Sequence, residues 1–316
     1  MDGILNVDKP SGLTSMEVVR RVKRATGQRH VGHGGTLDPY ATGVLPVFLG
    51  QATRLMEYLV ESTKHYLAVV HLGVTTDTYD LLGRVVEEHD ASAIGREAVD
   101  VVLATLRGTI EQTPPMYSAL KREGRRLYEL ARAGQEVERP ARKVQVLRLE
   151  LVGWRPPSLE LNLECSRGFY VRSLAHDLGQ RLGCGAHLSA LRRTRTGPFT
   201  IEQAVPLERV EEAFAQHRGE SLLLPPDYTV LHLRPAAVTP EEERRIRNGQ
   251  TVPLTPRTHY ARHLDQCRAY TQDGRFLALL RFHRPLGLWQ PFKVFPKPMP
   301  SPYARETHPV GQETES

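Results

Sequence analysis

The chain has 316 residues, 40% of them hydrophobic and 25% charged, with 42 Lys or Arg against 36 Asp or Glu and a net charge of +6. That is ordinary globular usage, long enough for one large domain or two, and it excludes collagen-like, coiled-coil and wholly disordered chains. No apolar run reaches the roughly 18 residues of a membrane span, and the first ten residues lack a signal peptide's basic start and long apolar stretch, so a cytoplasmic protein is expected.

Gly3 to Val7 reads as a short strand that stops at the turn Lys9-Pro10-Ser11-Gly12. Thr14, with Glu17 three residues on, forms a capping box. Val18, Val19, Val22 and Ala25 then give the apolar stripe of a helix that ends at Gly27. Gly32 to Pro46 holds four glycines and two prolines and reads mainly as an ordered loop, unusual for a plain connector. Tyr66 to Leu72 predicts a strand, and Arg96 to Leu106 and Leu127 to Ala133 predict helices. Val144 and Val146 alternate in one phase while Leu147, Leu149 and Leu151 take the other, the slip that a bulge produces. Leu159, Leu161, Leu163 and Cys165 mark a half-buried strand, and Val171 to Leu182 a helix closed by Gly183.

Strands grouped with helices, without regular βαβ alternation, predict an α+β fold with a mixed, largely antiparallel sheet. Leu224-Pro225-Pro226-Asp227 reads as a boundary, followed by a small β-rich domain in Val230 to Val252 and Arg268 to Val294. The expected units are a large N-terminal domain over 1–228, which the resemblance below makes the catalytic one, a β-rich domain over 229–296 and a mobile tail over 297–316.

Cys165, Cys184 and Cys267 are too few and scattered for a disulfide framework or a cysteine metal site, and are expected as small buried hydrophobes. The 13 histidines contain no HExxH, and no metal is expected. The positive charge is clustered. Lys121 to Arg148 carries nine basic residues against four Glu, Arg20, Arg21, Lys23, Arg24 and Arg29 form a second group, and Arg192, Arg193 and Arg195 a third. Such clusters gain affinity by releasing counterions from phosphates, which makes nucleic acid the leading partner class.

The segment Gly32-His33-Gly34-Gly35-Thr36-Leu37-Asp38-Pro39 fails as a dinucleotide fingerprint, because Leu37 stands where a third glycine is needed, and it lacks a P-loop ending. A single acid held before a proline in a glycine-rich loop suits a nucleophile or a lone acid–base group, with a simple turn cap as the alternative. In Lys64-His65-Tyr66 the aromatic can stack on a flipped base or fill a core. Asp77 and Asp80 read as turn caps. Arg172, at a strand-to-helix junction, can pair with a carboxylate or grip phosphate.

Taken together these segments resemble the TruB family of tRNA pseudouridine synthases. The matching residues are Val7 to Gly12, Gly32-His33, Gly35 to Pro39, Ala41 to Pro46, Lys64-His65-Tyr66, Gly73 with Thr76-Asp77-Thr78, Gln112 to Lys121, Cys165 to Arg172, Gly183 to Leu188 and Leu191-Arg192-Arg193. They run in consistent order over roughly residues 3 to 228, and the C-terminal part resembles the PUA-type RNA-binding domain that many members carry. Gly34 and Tyr40 depart from the Thr and Leu that members often show there.

The resemblance implies a sheet of the pseudouridine synthase type with flanking helices, and isomerisation of the uridine at position 55 in the tRNA T-loop. It makes Asp38 the nucleophile, has Tyr66 stack on the flipped uracil, and pairs Arg172 with Asp38. Leu191 would pack in the pocket, Lys9 and Pro10 would support its floor, and His33 would pack against RNA near the extruded nucleotide. It further implies the tRNA T-arm as partner and a reaction without cofactor; the compact chain and the Pro114 to Gly134 segment favour an enzyme without guide RNA, no membrane is expected, and a monomer is the simplest expectation. The rivals are a guide-RNA-dependent pseudouridine synthase and a non-catalytic RNA-binding or tRNA-folding protein.

Overall fold

The computed structural model describes residues 1–117, 137–254 and 261–304, with backbone alone at 121–122 and 125–126. The helix expected over Leu127 to Ala133 lies outside the described residues, as do the side chains in the first part of the Lys121 to Arg148 segment. Strand β1 (Gly3–Lys9) is buried almost throughout, and α1 (Ser15–Thr26) follows. The capping box forms as expected. The Glu17 amide donates to Thr14 Oγ1 at 3.1 Å, the Thr14 amide donates to Glu17 at 2.7 Å, and the helix closes on left-handed Gly27.

After β2 (Val31–His33) and β3 (Thr42–Leu49) the expected long loop shrinks to residues 34–41. Val44, Leu45, Val47, Phe48 and Leu49 are fully buried, and β3 pairs with β1 from Gly3↔Leu49 to Lys9↔Gly43. That pairing outweighs the loop character of Gly43 and Pro46. Pro46 still serves, since its carbonyl accepts the Gly34 amide at 3.1 Å.

Next come α2 (Met56–Glu61), β4 (Lys64–Leu72), the hairpin β5 (Val74–Thr76) and β6 (Val85–Glu88), α3 (Arg96–Thr105) and β7 (Gly108–Gln112). A short hairpin of β8 (Lys121–Arg122) and β9 (Arg125–Arg126) precedes the long β10 (Arg142–Arg155) and β11 (Ser158–Cys165). The β10–β11 register slips between Val146 and Arg148, which leaves Leu147 exposed and returns Leu149 to the core. That is the expected bulge. Then follow α4 (Val171–Leu182), β12 (Ala186–Thr196), β13 (Phe199–Thr200), β14 (Val205–Pro206) and α5 (Leu207–Ala215).

One ten-stranded sheet runs β14-β1-β3-β12-β4-β11-β10-β7, with β13 on β12 and β2 on β3. Within this sheet, among the described residues, only β1–β14 and β3–β12 pair in parallel. Strand β12 joins the two halves, parallel to β3 at Arg192↔Thr42 and antiparallel to β4 at Leu191↔Ala68 and Arg193↔Tyr66. The apolar stripes of α1, α3, α4 and α5, through Val18, Leu103, Leu174 and Val210, share one core with sheet residues such as Val70, Leu161 and Leu188.

The C-terminal unit has β15 (Arg234–Ala237), α6 (Pro240–Arg247), β16 (Gln266–Tyr270), β17 (Arg275–His283) and β18 (Leu288–Pro300), in sheet order β15-β16-β17-β18. Two expectations are corrected. Helix α6 was read as part of a β-rich stretch because Ile246 is its single buried apolar residue, too little for a stripe, although Thr239 and Glu242 cap it. The tail does not begin at 297: Met299 is buried and Arg275 pairs with Pro300. The two units also share a core, in which Ile4, Val44, Phe48 and Leu55 cluster with Tyr270, Phe276 and Phe295.

Candidate active site

Residues 34–41 cross the floor of the site, and each part is tied down. Ser15 Oγ accepts the Leu37 amide at 2.8 Å and donates to the Leu37 carbonyl at 3.1 Å, clamping the loop to the start of α1. The Gly12 amide donates to the Pro39 carbonyl at 2.9 Å, and Ser11 Oγ to the Tyr40 carbonyl at 3.0 Å. Lys9 is fully buried, and its ammonium donates to three carbonyls, Leu13 at 2.6 Å, Pro10 at 2.8 Å and Pro39 at 3.0 Å. Burial pushes its pKa down to about 8, against the pull of Asp38 and Glu17. Lys9, with half-buried Pro10 beside it, thus braces the loop through the Pro39 carbonyl.

Asp38 projects from this frame with 31% of its side chain exposed, and it meets Arg172 at the N-terminal turn of α4. Arg172 Nε lies 3.1 Å from Asp38 Oδ2, and Nη2 donates to Oδ1 at 3.3 Å. The guanidinium is itself buried and held from behind. Nη1 reaches Asp80 Oδ2 at 3.4 Å, and Nη2 donates to the Tyr117 carbonyl at 2.8 Å. A planar fork fixed on several acceptors presents both N–H groups to Asp38 with little freedom to lose. Burial raises the Asp38 carboxyl above its ordinary range, Arg172 and Lys9 pull it back, and Asp80 adds to the rise.

Tyr66 enters from β4, opposite Leu163 on one side and Arg193 on the other. It is half-buried, and burial pushes the phenol up to about 12 while the Arg193 guanidinium opposes. Leu191, 8% exposed and opposite Ala68, lies on the same sheet face two positions along. His33 ends β2, and its Nδ1 accepts the Gly35 amide at 3.3 Å. Burial and Arg193 lower its pKa, which suits a neutral positioning ring. The structure therefore pairs Asp38 with Arg172 directly and ties Lys9 and Pro10 to the loop that carries Asp38. Tyr66, Leu191 and His33 join through the strands and loop around Arg193.

Three residues had other readings. Arg193 was grouped with Arg192 and Arg195 as a surface phosphate contact, yet it is buried. Its Nε donates to Val44 O at 2.8 Å and its Nη2 to Gly35 O at 3.1 Å, so it holds the Asp38 loop against β3. Asp80 does cap its turn, accepting from Thr78 Oγ1 at 2.7 Å and the Leu82 amide at 3.0 Å, and its other oxygen holds Arg172. Tyr40, noted only as a departure, is buried, and among the described residues its hydroxyl has no hydrogen-bond partner. Cys165, Cys184 and Cys267 are buried, and among the described residues none of them forms a disulfide. Among the described residues no three His, Cys, Asp or Glu side chains gather as metal ligands, and no helix is long and apolar enough to cross a membrane.

The carboxylate on its braced loop, the arginine locked to it and the half-buried tyrosine beside them are carried by a large mixed sheet with flanking helices, the pseudouridine synthase fold. Residues 23–171 match the family model "TruB family pseudouridylate synthase (N terminal domain)", and residues 172–231 match "tRNA pseudouridylate synthase B C-terminal domain". Relatives named tRNA pseudouridine synthase B include one from Dehalococcoides mccartyi, 42% identical over 96% of this chain and 100% of its own length. Others are from Geobacter sulfurreducens, 47% identical over 79% and 82%, and Pseudomonas aeruginosa, 43% identical over 87% and 94%. The chain belongs to the TruB family of pseudouridine synthases. Among solved structures, an H/ACA RNP bound to a substrate RNA containing 2′-deoxyuridine matches at TM-score 0.70 and 25% identity, over 93% of this chain and 84% of that one. A Cbf5-Nop10-Gar1 complex matches at TM-score 0.68 and 27% identity, over 94% and 85%.

Proposed function

We propose that this protein isomerises uridine to pseudouridine at position 55 in the T-loop of tRNA, with Asp38 as the nucleophile. The observation that carries the reading is Asp38 itself: open on one side, and held on both oxygens by a buried Arg172. In the reaction the C1′–N1 bond of the nucleoside breaks and a C1′–C5 bond forms. The C5 proton leaves, N1 gains one, and no electrons are exchanged with a cofactor. Asp38 supplies the electron pair that detaches the base, and Arg172 orients it. Tyr66 stacks on the extruded uracil, Leu191 fills the wall beside it, and His33 packs against the neighbouring RNA. Extrusion costs a few kcal/mol, which stacking on an aromatic ring offsets.

The T-arm is gripped by the basic segment Lys121 to Arg148 and by the C-terminal sheet, acting as a PUA-like RNA-binding unit over about residues 229–300. The chain works as a monomer. The solved structures named for H/ACA and Cbf5 assemblies favour a second, guide-dependent reading. Identity of 42–47% to the tRNA pseudouridine synthase B relatives, against 25–27% to those assemblies, supports the stand-alone enzyme.

Purified protein and its Asp38→Asn variant should be incubated with tRNA tritiated at uridine C5, without guide RNA or partner proteins. The expected outcome is tritium release by wild type alone, mapping to the T-loop. Release only after guide RNA and partners are added would establish the guide-dependent reading. Full release by Asp38→Asn would remove the nucleophile from that residue. Tight tRNA binding with no release by wild type would leave an RNA-binding or folding protein.

A further inference from the structure

The face of the large sheet away from Tyr66 carries two histidines that the proposed reaction does not use. His71 on β4 and His187 on β12 are direct cross-strand partners, so both side chains rise from that face. Both rings are half-buried, with centroids 5.5 Å apart and planes tilted by 47°. Each is held through its Nδ1. His187 Nδ1 lies 3.0 Å from the Val74 carbonyl oxygen. A carbonyl can only accept, so this nitrogen carries the ring proton and Nε2 keeps a bare lone pair. His71 Nδ1 lies 3.3 Å from Ser158 Oγ on β11, a hydroxyl able to accept the same kind of proton. Because β4 lies between β11 and β12, that anchor leaves His71 Nε2 on the β12 side, toward His187. Neither Nε2 has a hydrogen-bond partner among the described residues.

Two imidazoles that bind one ion through Nε2 at about 2.0 Å and a tetrahedral angle hold their ring centres about 5 Å apart. The observed spacing meets that requirement, and the bonds to Val74 and Ser158 are the outer contacts that orient a ligating imidazole. The other close pair lacks this arrangement. His263 and His283 also lie 5.5 Å apart, at 85°, but His263 Nδ1 accepts the Arg284 amide at 3.4 Å, which puts its ring proton on Nε2. We propose that Nε2 of His71 and Nε2 of His187 bind one divalent transition-metal ion of the zinc class, with water completing its coordination. Imidazole suits Zn²⁺, Cu²⁺ and Ni²⁺, whereas Mg²⁺ takes oxygen ligands. Two protein ligands are fewer than a structural zinc site uses, so the ion is exchangeable. Bound there, it cross-links β4 to β12.

Full-length protein, stripped with EDTA and returned to chelator-free buffer, is titrated with ZnCl2 by calorimetry beside His71→Gln, His187→Gln and the control His263→Gln. Wild type and His263→Gln should take up one tightly held ion per chain. The two site variants should bind it on the order of a hundredfold more weakly, because a second ligand already held in place multiplies affinity by about that much. Zn²⁺ should raise the wild-type Tm and leave that of His71→Gln unmoved, since an ion bound to the folded chain alone stabilises it. Mg²⁺ should move neither. With Cu²⁺, electron paramagnetic resonance of the wild type should show two imidazole nitrogens on one copper. Wild-type zinc affinity in His71→Gln, loss of the ion in His263→Gln, or a single nitrogen on copper would each overturn the proposal. The copper spectrum needs the wild type alone, so the site stands or falls on it even where a variant fails to fold.

Discussion

At the residue scale the site is a charge arrangement in which one buried guanidinium, Arg172, faces two carboxylates, Asp38 and Asp80. Because burial raises the Asp38 pKa, the folded state holds that proton more firmly than the unfolded chain does. The resulting stability is present at acid pH and is lost as pH rises through the raised value. At pH 7 Asp38→Asn should therefore abolish turnover, by a thousandfold or more on the order seen for lost nucleophiles, without lowering Tm; calorimetry beside the tritium assay checks both. In the proposed reaction Asp38 acts in its ionised form, so the acid limb of turnover should lie above the ordinary aspartate value of about 4. Asp80→Asn removes a charge that raises Asp38 and a partner that holds Arg172. Its limb should move to lower pH while the rate falls, and a limb moving upward would contradict that coupling. Asp38 and Arg172 were legible in the sequence as a lone acid in a glycine loop and an arginine at a strand-to-helix junction. Asp80 was half legible, since its bonds to Thr78 and Leu82 are local whereas Arg172 lies 92 residues away. For Arg193 charge was visible and burial was not, although Leu191 and Arg193 alternate with Arg192 along β12.

At the element scale the decisive contact is between β3 and β12. Gly43 has φ of 101°, and a Cβ there would stand 2.2 Å from the Arg193 carbonyl oxygen. Two backbones meet with no room for a side chain. Gly43→Ala should force the seam apart, at about 1–3 kcal/mol or more by the cost of overpacking. It should also slow turnover, because the same seam carries the Asp38 loop through Arg193. Urea unfolding reads the first effect, and an unchanged midpoint would mean the strands yield freely. Strong periodicity made α1, α4 and β11 readable. Helix α6 and the end of β18 were not, because Ile246 is a lone apolar residue and Pro296, Pro298 and Pro300 resemble a tail until Phe295 before them and Met299 among them are seen buried.

At the scale of the molecule the two units are bound at their boundary. Asp227 is fully buried there and accepts from Tyr270 Oη at 2.5 Å and Ser301 Oγ at 2.6 Å, while Arg268 donates to the same Tyr270 oxygen at 2.8 Å. Arg54 donates to the Val294 carbonyl and Lys293 pairs with Glu57 across the same junction. A chain ending at residue 229 would expose Phe48, Leu55 and Phe199, which lie in the shared core. Such a truncation should lower Tm by many degrees and lose chemistry along with affinity; full single-turnover chemistry at an undiminished Tm would show that the catalytic sheet stands alone. The Pro-Pro boundary was legible in the sequence, but the shared core was not, since Ile4 and Tyr270 meet only in three dimensions.

The placement of β12 between β3 and β4 has a consequence for biosynthesis. Strands β3 and β4 leave the ribosome by residue 72, but the strand that must lie between them is complete only at residue 196. At about 5–20 residues per second the wait is on the order of 6–25 s. Through that interval the nascent chain presents two facing strand edges and the underside of an unfinished catalytic loop, and the order of translation, rather than the strength of any contact, sets when the enzyme can first exist.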